Sequence, residues 1–298
     1  MPLSLTLLLP LLAQAGLTDT APGNGPALPQ APISIPQRKP AASVTTSPTT
    51  VPAAVPAAAQ SAQLQNCLKL AMENPADGID EAEGWLAAAK TISDRAGARQ
   101  CKAMALTRLD SWGEAATLFL AARDDTPANE PGERARLGAL AGNALLVTGD
   151  TVAGLDALDH AHGAAHAAND GKLNGVIQID RARALVALGR VEEASSALEE
   201  ARYELPDNHQ AWLLSATLSR RQAKLVQAQR QIERAAALMP VDPEIGLEAG
   251  VIAVLSGRDT AARLSWQSVI KAAPGSLAAK TAQGYLDQLG PPRASPAK

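Results

Sequence analysis

Small and bulky apolar positions follow one another along this chain in an order that returns every 34 residues. Three stretches superimpose on that order without a gap: Gly175 to Asn208, His209 to Asp242 and Pro243 to Ser276. In each, a small residue follows a short turn (Ala194, Ala228, Ala262), and another small or branched one comes seven positions later (Ala201, Ala235, Val269). A proline stands five positions beyond that (Pro206, Pro240, Pro274). This spacing predicts two antiparallel helices per stretch. The first small residue lets the two helices approach closely, the second lets one hairpin nest on the next, and the proline ends the second helix because it lacks an N–H and clashes with the preceding turn.

On these residues the chain resembles the tetratricopeptide-repeat family. Its pattern is met in the second stretch by Trp212, Ala216, Ala228, Ile232, Ala235 and Pro240. The third stretch meets it with Gly250, Gly257, Ala262, Trp266, Val269 and Pro274, with Gly246 where a bulky residue is expected. The same frame extends backwards. Ala96 to Asn129 fits through Ala103, Leu106, Ala115, Phe119, Ala122 and Pro127; Ala135 to Ala168 fits through Gly142, Leu145, Gly149, Leu158 and Ala161, with Gly154 in place of alanine and His166 in place of proline. Ala62 to Arg95 fits least: Lys69 takes a small-residue position, and the turn Asn74 to Gly78 reads one residue too long. Glu130 to Arg134 and Asn169 to Asn174 read as inserts between units. Leu277 to Leu289 reads as a lone final helix covering the apolar face of the last repeat. The expected fold is therefore all-α, an α-solenoid of about six hairpins with a C-terminal capping helix over residues 62–289, wound as a right-handed superhelix.

The flanks read differently. Residues 16–61 are dominated by Pro, Ala, Thr, Ser and Gly, a composition that buries too little apolar area to offset its ordering entropy, and a disordered linker is expected. Leu3 to Leu12 is an apolar run followed by Ala13, Gln14 and Ala15, the small-x-small form of a signal-peptidase site, so residues 1–15 read as a signal peptide although no Lys or Arg precedes the run. The run is shorter than the roughly 20 residues a spanning helix needs, so no stable membrane insertion is expected after cleavage. Residues 290–298 read as a disordered tail.

Cys67 and Cys101 are the only cysteines and lie 34 residues apart, at one position on the first helices of neighbouring units. In an exported protein this placement favours a disulfide; the alternative is two buried, unbonded thiols. A net charge of −3 with dispersed basic residues, and only one Phe, two Tyr and four Trp for stacking, argues against nucleic acid as a partner. No phosphate-binding loop, dinucleotide fingerprint, HExxH, GxSxG or CxxC occurs, and the repeat array leaves no room for a catalytic domain, so a non-enzyme without cofactor is expected. His160, His162 and His166 cluster with Asp159. Asp159, His162 and His166 share a helical face that suits a divalent metal, but His160 points elsewhere and the plainer reading is a solvated helix end, so no metal site is assigned.

The resemblance also implies a binding surface. In similar arrays the first helix of each hairpin lines a concave groove, which here receives Arg108, Asn143, Arg183, Thr217, Arg220 and Arg221, beside Leu146, Ile179, Leu213 and Leu247. Arginines and an asparagine suit a peptide backbone and its carboxylates. The set resembles part of the carboxylate clamp of chaperone-binding members, but Ala139 and Ile179 stand where that clamp has lysine. Taken singly, each residue also reads as an ordinary solvated one. The expected function is an exported (periplasmic or secreted) scaffold or adaptor for a protein or peptide partner. Two alternatives stand beside it: an accessory subunit presenting a polypeptide to an envelope enzyme or secretion machine, and a metal-handling protein using the histidines.

Overall fold

The computed structural model describes residues 62–291; the expected signal peptide, linker and most of the tail lie outside the described residues. Thirteen helices follow one another: α1 (Ala62–Glu73), α2 (Pro75–Ala88), α3 (Ile92–Arg108), α4 (Trp112–Asp125), α5 (Pro131–Val147), α6 (Thr151–Ala167), α7 (Gly171–Ala187), α8 (Val191–Glu204), α9 (His209–Arg221), α10 (Leu225–Leu238), α11 (Pro243–Leu255), α12 (Asp259–Ala272) and α13 (Leu277–Leu289). Twelve pair as six antiparallel hairpins and α13 packs on the last, as the sequence frame predicts.

Many of the helix ends have a local cause. Five first helices and the final one show it at their starts: Thr91 makes a capping box with Asp94, and the side chains of Asp170, Asn208, Asp242 and Ser276 accept from amides of the first turns of α7, α9, α11 and α13, while α5 instead begins on Pro131. Second helices stop two residues before a proline: α4 before Pro127, α8 before Pro206, α10 before Pro240 and α12 before Pro274. α6 has no such proline and runs on for 17 residues, against 14 for those four. The presumed inserts are mostly helical. Pro131 to Arg134 and Gly171 to Asn174 form the first turns of α5 and α7, each 17 residues long where α9 and α11 have 13. Nor is the first turn long, since only Asn74 separates α1 from α2. Gly78 instead lies within α2, where a Cβ would come 2.5 Å from Ala71 Cα, so glycine permits this tight junction.

The other five hairpins share one turn. Three residues link the helices, the middle one has positive φ, and the amide of the third returns to a carbonyl in the last turn of the first helix, as from Arg190 to Leu185 at 2.8 Å and from Lys224 to Ser219 at 2.9 Å. Glycine holds the middle position at Gly149, Gly189 and Gly257, but Asp110 and Ala223 hold it in the other two at φ 58°. Alanine has no side-chain hydrogen bond to offset that conformation.

The core runs as a seam between paired helices. Each second helix from α4 to α12 buries a large residue at the same repeat position, Phe119, Leu158, Leu198, Ile232 or Trp266, against small residues of the facing helices. Where the large residue is biggest, its neighbour is smallest. A Cβ on Gly250 would sit 2.1 Å from the Trp266 indole nitrogen, and one on Gly97 would sit 2.4 Å from the Trp85 ring. In the third hairpin Gly142 and Gly154 face each other, a Cβ on either meeting the other's carbonyl oxygen at 3.0 to 3.1 Å. Gly154 therefore does the work of the expected alanine, and does so at closer range.

The strained turn gives a prediction. Relieving the left-handed alanine exceeds the added chain entropy of glycine, so Ala223→Gly should raise stability by about 0.5 to 1 kcal/mol, measured by urea unfolding. The same change at Ala228, buried in the α9/α10 seam, should lower it.

Candidate functional site

Successive hairpins do not stack symmetrically. First helices touch the next first helix (α1 with α3, α5 with α7, α9 with α11), and α11 also touches α13; among the described residues no second helix packs comparably on the next second helix. The first helices therefore occupy the inner, shorter side of the array, the side on which the resemblance places a binding surface.

That side carries a row of polar contacts between helices. Asn143 of α5 donates its amide to Asp180 of α7 at 2.8 Å, Arg183 of α7 pairs with the same carboxylate at 2.5 Å, and Arg183 also donates to Gln210 of α9 at 2.9 Å. Farther along, Arg220 of α9 grips Glu248 of α11 with two donors, at 2.6 and 3.3 Å. Arg183 and Arg220 are thus already matched by carboxylates of the protein itself. Arg108 and Arg221 are exposed at the ends of α3 and α9 and enter no salt bridge among the described residues. Thr217, Leu146 and Leu247 are half-buried; Leu213 and Ile179 are buried and support the surface from below.

Sequence reasoning passed over the acidic half of this row. Asp180 and Glu248 both occupy the sixth position of their units, and each pairs with a residue of the preceding first helix. That shared register was the available signal. Asp180 is only 7% exposed, and burial raises its carboxyl above the ordinary aspartate range; the Asn143 hydrogen bond and the nearby Arg183 charge pull the other way and do not cancel it.

The histidines lie on α6, and Asp159 does not join His162 and His166. Asp159 is taken by Arg181 at 2.6 Å, and His160 turns back toward Asp156. His162 and His166 instead face Glu200 of α8. At the N-terminal end Cys67 and Cys101 are joined as a disulfide between α1 and α3, Cα atoms 5.9 Å apart, with both sulfurs beside the Gly78 carbonyl. Closing a loop of 34 residues contributes about 3 to 4 kcal/mol in the chain-entropy picture and ties the first hairpin to the second. No described helix is long and apolar enough to cross a membrane.

Taken together, the described residues form an α-solenoid of helical hairpins. Their register, turn and small-residue seam are those of the tetratricopeptide-repeat fold. Solved structures agree. PilF of Pseudomonas aeruginosa superimposes with a TM-score of 0.61 at 15% identity, over 76% of this chain and 96% of that one. PilW, a widely conserved type IV pilus biogenesis factor, gives 0.60 at 16% identity over 75% and 100%. BtubC from P. vanneervenii gives 0.56 at 15% identity over 79% and 97%. No family model matches the sequence, and no curated protein matches it.

Asp180 offers a test of the row. Because its pKa is raised on folding, the folded chain holds that proton more tightly. Its contribution to stability is therefore present below the unfolded pKa and lost as pH rises through the folded one. Asp180→Asn removes the titration. The stability of wild type relative to this variant should fall as pH rises from the ordinary aspartate range toward neutrality, measured by urea unfolding at successive pH values; parallel curves would show that Asp180 is not buried as described.

Proposed function

We propose that the chain is an exported, non-catalytic scaffold that binds a protein or peptide partner along its inner face. The observation carrying this reading is the row from Asn143 through Asp180, Arg183 and Gln210, continued by Arg220 and Glu248. It fixes polar side chains of four successive first helices in register, so a partner laid across them meets groups already ordered. Arg108 and Arg221 add charge that no carboxylate of the protein neutralises in a salt bridge among the described residues, which suits an acidic or carboxylate-bearing segment. The disulfide supports an oxidising compartment, in line with the signal-like apolar run at the N-terminus.

The pairing of the inner arginines decides which variants are informative. Arg108→Glu with Arg221→Glu should weaken partner binding at least tenfold while changing stability by no more than about 0.5 kcal/mol, as exposed sites usually do. Arg220→Glu sets a second carboxylate against Glu248 and should destabilise the α9/α11 junction, so lost binding there would not identify a contact. Binding is read by interferometry with the partner recovered from the envelope fraction, and stability by thermal unfolding. Undiminished binding by the first double variant would place the partner off the inner face.

A further inference from the structure

A second cluster lies where the second helices of the third and fourth hairpins, α6 and α8, both meet Asn174 and Gln178 of α7. His162 and His166 stand one turn apart on α6, their rings edge to face with centroids 4.7 Å apart. Glu200 reaches them from α8, its Oε1 3.4 Å from His166 Nε2. One ligand atom from each of the three lies within 4.8 Å of the other two. We propose that His162, His166 and Glu200 bind a divalent first-row transition ion, such as Zn²⁺ or Ni²⁺.

Three features favour a site over a chance meeting of polar groups. The first is the donor set. Two imidazoles and one carboxylate suit borderline ions and leave at least one coordination position open, whereas Mg²⁺ and Ca²⁺ prefer oxygen alone. The second is the support behind it. Asn174 and Gln178 of α7, exposed by only 2% and 1%, each donate an amide hydrogen to Glu200, Asn174 to Oε1 at 2.6 Å and Gln178 to Oε2. Gln178 is itself held by Arg181, which donates to its Oε1 at 2.7 Å. Ligating carboxylates are commonly oriented by such partners.

The third feature is the tautomer. Asn174 turns its amide nitrogen to Glu200, so its Oδ1 faces His162 Nδ1 at 2.7 Å and that nitrogen is the donor. In that tautomer Nε2 is the nitrogen left to ligate an ion. The weaker approach of Gln178 Nε2 to the same Nδ1, at 3.3 Å, does not reverse the assignment, because Gln178 already donates to Glu200. Access is open, since the His166 side chain is 61% exposed.

A bound ion would have a mechanical consequence. α6 and α8 do not pack on one another as first helices do, so outer sides of the third and fourth hairpins are joined mainly through α7. An ion shared by α6 and α8 would tie them directly and resist opening of that joint. This holds whether or not the inner face binds a partner.

The test is calorimetric titration of the full chain, free of any histidine tag, with Zn²⁺, Ni²⁺ and Mg²⁺. We expect one Zn²⁺ or Ni²⁺ per chain, no comparable Mg²⁺ binding, and a rise in the unfolding temperature on adding Zn²⁺. His166→Asn alters an exposed side chain and should leave helicity intact while weakening Zn²⁺ binding roughly tenfold or more. His162→Asn should do the same, and His160→Asn should bind as wild type. Failure of the wild type to bind Zn²⁺ and Ni²⁺, equal binding of Mg²⁺, or undiminished binding by His166→Asn would each overturn the proposal.

Discussion

Everything in this structure depends on how closely two helices can approach. With few aromatic residues to fill space, the chain closes its hairpins with alanine and glycine on one helix against a single large residue on the other. The compensation is local. Trp266 is accommodated because Gly250 has no Cβ, Trp85 because Gly97 has none, and the third hairpin closes tightly because Gly142 and Gly154 face each other. Each hairpin then buries its remaining apolar surface only against its neighbours, which is why the array needs a terminal helix. α13 supplies it, covering Trp266 with Tyr285 and Leu289.

The same economy explains what could be read from the sequence. Hairpins, seam positions and helix ends were legible because each rests on a residue type with a local reason, an alanine at a crossing or a proline after a stop. The errors arose where length, not residue type, carried the information. Pro131 to Arg134 and Gly171 to Asn174 fall outside a 34-residue frame and so look like inserts, yet each is one more turn of helix and disturbs nothing in register. Asn74 to Gly78 looked like a long turn because Asn and Gly commonly make turns, whereas Gly78 serves helix contact.

The side-chain site was less legible, and for a physical reason. A repeat frame tells which face a residue occupies, but not which residue on the next helix it meets. Arg183 and Arg220 lie on first helices as the frame predicts, but their carboxylate partners are not legible in it: Asp180, on the same helix as Arg183, and Glu248, on the helix after that of Arg220, turn the arginines from free charges into matched ones. The histidines show the same limit, for Asp159 was the near neighbour in sequence while Glu200, on another helix, is the carboxylate they meet. Glu248 and Glu200 are both met across two hairpins, where the curvature of the array decides which side chains meet.

That curvature gives the protein two unlike sides: an inner one with polar residues locked in register, and an outer one where second helices diverge. Partner binding is proposed for the inner side. Site-specific photo-crosslinking tests it most directly, with a crosslinking residue placed in turn at Arg108 and Arg221, and at the exposed outer positions Glu192 and Glu199. Crosslinks to the partner are expected from positions 108 and 221 and none from 192 or 199. Crosslinks confined to the outer positions would contradict it.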